Sequence, residues 1–325
     1  MVKFLIIQTA FIGDVILATP IIEKLHHFYP DSQIDFLLRK GNENLLRNHP
    51  HVTNLLVWNK KESKRKNMLR IIRLIRNKDY DYVVNLQRFA STGIITALSK
   101  GKIKVGFNKN PLSFLYTRKF NHEIGNGKHE IERNIELITE ITDGSVFKPK
   151  LHPTEEDFQI VSEYKMRPYI CIAPTSVWFT KQFPADKWVE LISRTNLKYH
   201  IYLVGGPDDK EACDKIIAES GRNNIINLCG KLTLLQTAAL MANATMNYVN
   251  DSAPMHMASA MSAPTTAIFC STVPDFGFGP LSNQSKVVET KNNLECRPCG
   301  LHGFRKCPEG HFKCAKTIEI DNLLF

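Results

Sequence analysis

Short apolar runs alternate with longer amphipathic segments along the first part of the chain, and this alternation restricts the possible folds more than any other feature. Strand-length runs are separated by segments with helical spacing: KFLIIQ, QIDFLLR, VTNLLVW, DYVVNLQ and KIKVGF alternate with VILATPIIEKLHHFYP, NENLLRNHP, MLRIIRLIRNKDY and STGIITALSK. Strands separated by helices are typical of a parallel sheet wound on both faces. The first part of the chain is therefore predicted to be an α/β domain.

The same alternation starts again in the second half of the chain. The runs YICIAPT, HIYLVGG, IINLCG, TMNYVND and TTAIFC are predicted strands, with helical segments between them. The intervening stretch TDGSVFKPKLHPTEED carries the Pro, Gly and charged residues of a domain boundary. We predict two Rossmann-like, doubly wound parallel-sheet domains, 1–150 and 151–325, that face a central cleft, with a hinge in residues 145 to 165.

Composition narrows the class of protein without selecting a function. With 43% hydrophobic and 23% charged residues, the chain is typical of a soluble globular protein. No apolar run is long enough to span a bilayer, and Asp14 interrupts the apolar N-terminus where a signal peptide would continue. We therefore expect a cytoplasmic protein with reduced cysteines. The net charge of +10 favours phosphate-rich partners such as nucleic acid, anionic lipid or nucleotide-activated substrates.

Candidate functional residues lie in loops that directly follow predicted strands, where doubly wound sheets bind ligands. Asp14 stands at the start of the first helix. Aspartate is a preferred N-cap residue, so Asp14 can simply cap that helix. A carboxylate at this position can also act as a general base on an acceptor hydroxyl.

Three loops in the second half offer groups that suit a nucleotide. The loop 174–181 carries hydroxyls and a lysine, which can cradle phosphates or form an ordinary polar loop. The loop 205–209 pairs two glycines with acidic residues, which suits ribose hydroxyls or a plain turn. The segment 251–256 opens a helix with proline and free N–H groups, a ready anion site, and His256 is either structural or functional.

These segments together resemble a known family, the glycosyltransferase family 9 heptosyltransferases. The motifs GDVILATP, PTSVWFTKQFP, GGP and DSAPMHMASA occur in the family's order and spacing, and the resemblance runs from residue 1 to about 315. The chain departs from the commonest pattern at Ala253, where glycine is usual, and at Phe183, where tryptophan is usual.

The resemblance implies a GT-B glycosyltransferase at the inner face of the inner membrane. Such an enzyme moves heptose from ADP-heptose to the lipopolysaccharide inner core by an inverting, metal-independent reaction that needs no cofactor. Its first domain binds a Kdo-lipid A or heptosylated core acceptor, and its second domain binds the ADP-sugar. By the same matching, Asp14 is the catalytic base and Lys181 stabilises the departing ADP. The implied donor-binding residues are Thr175, Ser176, Lys181, Asp209, Asp251, Ser252, Ala253 and His256.

Four cysteines cluster near the C-terminus, in the segment 296–314. Their spacing is Cys296-x2-Cys299-x7-Cys307-x6-Cys314. A cluster that begins with CxxC in a cytosolic chain suits a structural zinc. Packed free thiols and a redox role are the other interpretations.

A basic stretch runs from Lys60 to Lys78, with nine Lys and Arg residues around an apolar stripe. It is predicted to form a basic amphipathic helix. Its charged face is either simply solvated or docks to anionic lipid or to an acceptor that carries phosphates and carboxylates.

Other functional classes are also compatible with the sequence. One is a GT-B transferase that uses another nucleotide sugar for a cell-envelope glycan. Another is a non-catalytic protein that binds sugar nucleotides or, through its basic residues, nucleic acid. Because the basic residues are not interleaved with stacking aromatics, we expect no nucleic-acid partner.

Overall fold

The computed structural model describes residues 1–324. The chain forms two compact units, Met1–His152 and Pro153–Phe325. Each unit contains one six-stranded sheet in which every pairing is parallel. The predicted α/β class, with two parallel sheets, is therefore confirmed. Within residues 1–324, no helix is both long and apolar enough to cross a membrane.

The sheet of the first unit has the strand order β3-β2-β1-β4-β5-β6. Its strands are β1 (Lys3–Ile7), β2 (Gln33–Arg39), β3 (Asn54–Trp58), β4 (Tyr82–Asn85), β5 (Ile103–Phe107) and β6 (Arg118–Phe120). Its helices are α1 (Ile12–Ile16), α2 (Thr19–Phe28), α3 (Lys64–Arg76), α4 (Ala90–Leu98) and α5 (Glu130–Glu136). Strand β1 lies between β2 and β4, so the loop after β1 opens at the middle of the sheet edge.

Two helix predictions for this unit require correction. The segment VILATPIIEKLHHFYP forms two helices instead of one, because Pro20 lies in the first turn of α2 and cannot donate a helical hydrogen bond. The segment NENLLRNHP is not a helix but holds a single 3-10 turn at Glu43–Leu45. The side chain of Asn42, which precedes this turn, donates to the carbonyl of Ala10 at 3.1 Å, a tertiary contact with the loop after β1.

The sheet of the second unit has the order β12-β11-β10-β7-β8-β9. Its strands are β7 (Tyr169–Ala173), β8 (His200–Leu203), β9 (Ile225–Asn227), β10 (Met246–Asn250), β11 (Thr265–Phe269) and β12 (Ser285–Glu289). Its helices are α6 (Glu155–Ile160), α7 (Ala185–Arg194), α8 (Lys210–Ser220), α9 (Leu234–Ala242), α10 (Ala253–Ala260) and α11 (Lys313–Lys316). The edge strands β6 and β12 were absent from the sequence prediction. Strand β6 has only three residues, two of them basic, and β12 has just two apolar residues between polar and charged ones.

Candidate active site

Asp14 occupies the first turn of α1, directly after the central strand β1. Its Oδ2 accepts a hydrogen bond of 3.1 Å from the backbone N–H of Phe11, so the carboxylate does help to cap the helix. Burial, together with the negative charge of Glu130, raises the pKa of Asp14 to about 6. A carboxylate with this pKa is ionised at neutral pH and is a stronger base than an ordinary aspartate.

Glu130 supplies the negative charge that acts on Asp14, and sequence reasoning missed it. It is the first residue of α5 and is buried. Burial alone would raise its pKa, but contacts with His122 Nε2 at 3.1 Å and Arg133 Nε at 2.8 Å outweigh burial and lower its pKa. Glu130 therefore stays ionised at neutral pH and opposes ionisation of Asp14.

Two cations flank the loop that carries Asp14. The Nζ of Lys60 donates to the carbonyl and the hydroxyl of Thr9, at 2.8 and 2.9 Å. Burial and the charges of Arg39 and Lys64 lower the pKa of Lys60 to about 8. Arg39, the last residue of β2, lies over the ring of Phe11 at 4.8 Å from its centroid. This edge of the first sheet thus combines a raised-pKa carboxylate with cations that attract anionic ligands.

In the second unit, Lys181 and Asp251 form an ion pair. The Nζ of Lys181 lies 2.6 Å from Oδ2 of Asp251, and the hydroxyl of Thr272 donates to the same oxygen at 2.6 Å. Lys181 lies in the loop after β7, and Asp251 directly follows β10. Because β7 and β10 are neighbours in the sheet, both loops open at the same edge.

A buried asparagine, which the sequence analysis did not select, fixes the loop of Lys181 to β10. The Oδ1 of Asn250 accepts from the N–H of Phe183 at 2.9 Å, and its Nδ2 donates to the carbonyl of Pro174 at 2.9 Å. Thr175 and Ser176, both half-buried, lie within the segment that these bonds define. The sequence shows that an asparagine ends a predicted strand at position 250. It does not show the partners of this side chain, because Phe183 and Pro174 are distant along the chain.

Helix α10 begins at the same edge. Ser252 is its N-cap residue, Ala253 is its first residue, and Pro254 occupies the first turn. Backbone N–H groups of a first turn, together with a nearby lysine, form a site for an anion such as a diphosphate. His256 is buried within this helix.

Asp209 lies on the loop after β8, the strand next to β7 on its other side. Its Oδ2 accepts from the backbone N–H of Gly206 at 2.7 Å and closes the turn Pro207–Asp209. The carboxylate therefore has a structural task here, and a role toward ribose stays a prediction.

The cysteine segment packs against the loop of Lys181. Cys296, Cys299, Cys307 and Cys314 line one cavity of about 300 Å³, together with Thr180, Phe304 and His311. Thr180 and Phe304 exchange two hydrogen bonds, one of 3.1 Å from the N–H of Thr180 and one of 2.7 Å to its hydroxyl. The segment is thereby attached to the residue that precedes Lys181.

Cys299 and Cys314 are buried, and Cys296 and Cys307 are partly buried. The Sγ of Cys299 donates to the carbonyl of Cys296 at 3.2 Å, and burial raises the pKa of Cys314 to about 11. Within residues 1–324, a group with at least three ligand atoms inside 4.8 Å occurs at Glu23, His49 and His152, not at the cysteines. Zinc at the cysteines therefore stays a prediction.

Comparisons with known proteins identify the family of this chain. The family model of glycosyltransferase family 9 (heptosyltransferase) matches residues 68–304. Lipopolysaccharide heptosyltransferase 3 of Escherichia coli is 29% identical over 281 residues, which are 81% of this chain and 82% of that protein.

Two solved structures share the fold. A glycosyltransferase family 9 protein from Veillonella parvula has a TM-score of 0.86 at 23% identity, over 99% of this chain and 94% of that chain. The E. coli ADP-heptose lipopolysaccharide heptosyltransferase II has a TM-score of 0.79 at 20% identity, over 99% and 96%. The predicted GT-B fold is thus confirmed. Because the family match covers well over half of the sequence, the chain belongs to glycosyltransferase family 9, the heptosyltransferases.

Proposed function

We propose that the protein transfers heptose from ADP-heptose to the inner core of lipopolysaccharide, with inversion at the anomeric carbon and without a catalytic metal. The observation that carries the proposal is the Lys181–Asp251 pair beside the first turn of α10, in the unit that resembles a nucleotide-sugar domain. The names of the E. coli relatives support the sugar and the acceptor class.

In this mechanism the second unit binds the donor. When the diphosphate binds, Lys181 either breaks its ion pair with Asp251 or contacts both Asp251 and the diphosphate. The first-turn N–H groups of α10 donate to the same phosphates. The phosphates and the sugar are bound by Thr175, Ser176, Ser252, Ala253 and His256. The ribose is bound by Asp209. Lysine and helix together supply the positive charge that a leaving ADP requires, which is why a metal-independent reaction is proposed.

The first unit binds the acceptor and supplies the base. The Asp14 carboxylate removes the proton of the acceptor hydroxyl as the oxygen attacks the anomeric carbon. The bond between that carbon and the diphosphate breaks on the opposite face, and ADP leaves with the electron pair. Arg39 and Lys60, which flank the loop of Asp14, hold carboxylates or phosphates of the acceptor.

We further propose that the enzyme contacts an anionic membrane surface through α3. Ile71, Ile72 and Ile75 bury one face of this helix in the first unit. The opposite face exposes Leu69 and Leu74, and it also carries basic side chains, namely Arg65, Lys66, Arg70 and Arg73. Exposed leucines among cations are typical of a helix that lies in a lipid interface.

The donor set of the four cysteines suits zinc, although the thiols would have to approach one another and lose their protons. Bound there, the ion would act structurally. It would hold Phe304, and through the two hydrogen bonds described above it would hold Thr180 beside Lys181.

The proposal is tested by measuring ADP release from ADP-heptose in the presence and absence of a Kdo-containing lipid A acceptor. The same assay with UDP- and GDP-sugars, and with a heptosylated core acceptor, tests the choice of substrates. Release that depends on acceptor and is specific for ADP-heptose is expected. Turnover with another nucleotide sugar and not with ADP-heptose would overturn the heptose assignment but not the assigned fold.

A further inference from the structure

Three segments of the first unit bring metal-ligating atoms together away from Asp14. Glu23 lies in α2, His49 follows the 3-10 turn at Glu43–Leu45, and His152 is the last residue of the unit. The Oε1 of Glu23 lies 2.9 Å from Nε2 of His152 and 3.5 Å from Nε2 of His49. All three ligand atoms are within 4.8 Å of one another.

One ring nitrogen of the buried His49 lacks a hydrogen-bond partner. His49 is 5% exposed, and its Nε2 has no hydrogen-bond partner among the described residues. The 3.5 Å separation from Glu23 is too long for a good hydrogen bond. A buried polar atom without a partner loses the hydrogen bonds that it makes with water in the unfolded chain and so destabilises the fold. An ion between Nε2 and the carboxylate would remove that destabilisation.

We propose that Glu23, His49 and His152 bind a divalent transition-metal ion of the zinc class. Two imidazoles and one carboxylate are a donor set that such ions prefer, with water in the fourth position. Ligands about 2.0–2.1 Å from a tetrahedral ion are separated by about 3.3 Å. The observed separations of 2.9 and 3.5 Å bracket that value.

Neighbouring groups must adjust when an ion binds. The backbone N–H of His51 donates to Nδ1 of His49 at 3.3 Å. This hydrogen bond breaks when the ring proton of His49 moves from Nε2 to Nδ1, which frees Nε2 for the metal. Lys150, whose Nζ lies 3.5 Å from Oε2 of Glu23, is largely exposed and can turn to solvent. The ring of His51 stacks on His26 at 3.6 Å between centroids and stays outside the ligand set.

Such an ion would tie α2 and the loop at His49 to the residue where the chain leaves the first unit. This role is structural and does not depend on the proposed heptose transfer. The inference can therefore fail while the proposed function holds, and the reverse is also true.

The test uses the full-length protein, stripped with a chelator, desalted and titrated with Co²⁺ and then Zn²⁺. The test variant is His152→Gln, which replaces a partly exposed side chain with another polar one. The matched control is His27→Gln, which replaces an exposed histidine of α2, the helix that carries Glu23. Stoichiometry comes from competition with a chromophoric chelator. Cobalt spectra separate a nitrogen and oxygen site from thiolate ligation, which gives an intense near-ultraviolet charge-transfer band.

Wild type and His27→Gln are each expected to bind one more metal ion per chain than His152→Gln. The additional cobalt should show visible ligand-field bands without the thiolate band, and Zn²⁺ should raise the Tm of wild type more than that of His152→Gln. Equal stoichiometry in wild type and His152→Gln, or cobalt that appears on thiolates alone, would overturn the inference. The inference would also be overturned if Zn²⁺ raised the Tm of a folded His152→Gln protein as much as that of wild type.

Discussion

The ammonium of Lys181 lies 2.6 Å from the carboxylate of Asp251, and this pair joins the loops that follow two neighbouring strands. Both side chains are largely buried, so the pair is screened less than a surface ion pair. Asp251 thus holds Lys181 at the first turn of α10 before any donor is present. In the proposed mechanism, an incoming diphosphate meets a lysine whose position is already set, which reduces the entropy lost on binding.

Replacement of Lys181 by alanine should lower kcat by roughly 10²–10³-fold, the usual effect of removing one group that stabilises transition-state charge. Steady-state ADP release at saturating donor measures this loss. The matched control is Lys187→Ala on α7, where the lysine pairs with Glu190 at 3.3 Å. Equal activity of the two variants would exclude the proposed role of Lys181.

Replacement of Asn250 by alanine should destabilise the second unit by about 1–3 kcal/mol, because the N–H of Phe183 and the carbonyl of Pro174 lose buried partners. Urea unfolding followed by tryptophan fluorescence measures the change. Asn250→Asp is the comparison, since it keeps an acceptor for Phe183 but loses the donor to Pro174. A midpoint unchanged in Asn250→Ala would show that the loop does not depend on this residue.

The apparent KM for the anionic acceptor should rise as the pH increases from 7 to 9. Lys60 has a pKa lowered to about 8, so its positive charge is present below that pH and is lost above it. Lys60→Gln should raise KM about tenfold or more at pH 7 and flatten the profile, since charged hydrogen bonds contribute about 1.5–3 kcal/mol. Lys60→Arg should keep a low KM to higher pH. A profile unaffected by either change would remove Lys60 from the acceptor site.

Binding to anionic vesicles should weaken when the exposed face of α3 is reversed in charge. Each basic residue near such a surface contributes about 1 kcal/mol, so Lys66→Glu with Arg73→Glu should lower the affinity at least roughly thirtyfold. Vesicle sedimentation with phosphatidylserine and with neutral phosphatidylcholine measures this effect. The control is Lys198→Glu with Lys210→Glu, two exposed lysines of the second unit. Equal losses in both pairs would indicate a nonspecific effect of net charge.

The sequence predicted those parts of the site that depend on local pattern. The strands that precede the loops of Asp14, Lys181 and Asp251 follow from apolar runs whose length is typical of buried parallel strands. Parallel strands then place their following loops at one edge, so the grouping of Lys181 with Asp251 was predictable.

Groups that reach the site from distant segments were not predictable in this way. Glu130 acts on Asp14 from α5, and His152 meets Glu23 and His49 from the end of the unit. Nothing in the residues next to Glu130 or His152 indicates these partners, because tertiary packing alone brings them together. The break before α2 is different, because Pro20 is visible in the sequence and a proline interrupts an otherwise continuous helical pattern, so this break was predictable.

The pH dependence of acceptor-dependent ADP release, in wild type and in Asp14→Asn, tests the central claim most directly. The amide can still accept from the N–H of Phe11, so the helix cap is retained while the base is lost. Folding raises the pKa of Asp14 from 3.8 to about 6, so ionisation of this group costs stability above pH 6, and Asp14→Asn should not lower the Tm at pH 8.

For wild type, kcat/KM should rise with pH through about 6, because the base must be ionised, and should fall again above about pH 8, where Lys60 loses its charge. The folded Asp14→Asn protein should lose at least roughly 10²-fold in rate and show no such rise. Activity of Asp14→Asn close to that of wild type, or a wild-type profile without a step near pH 6, would contradict the assignment of Asp14 as the base.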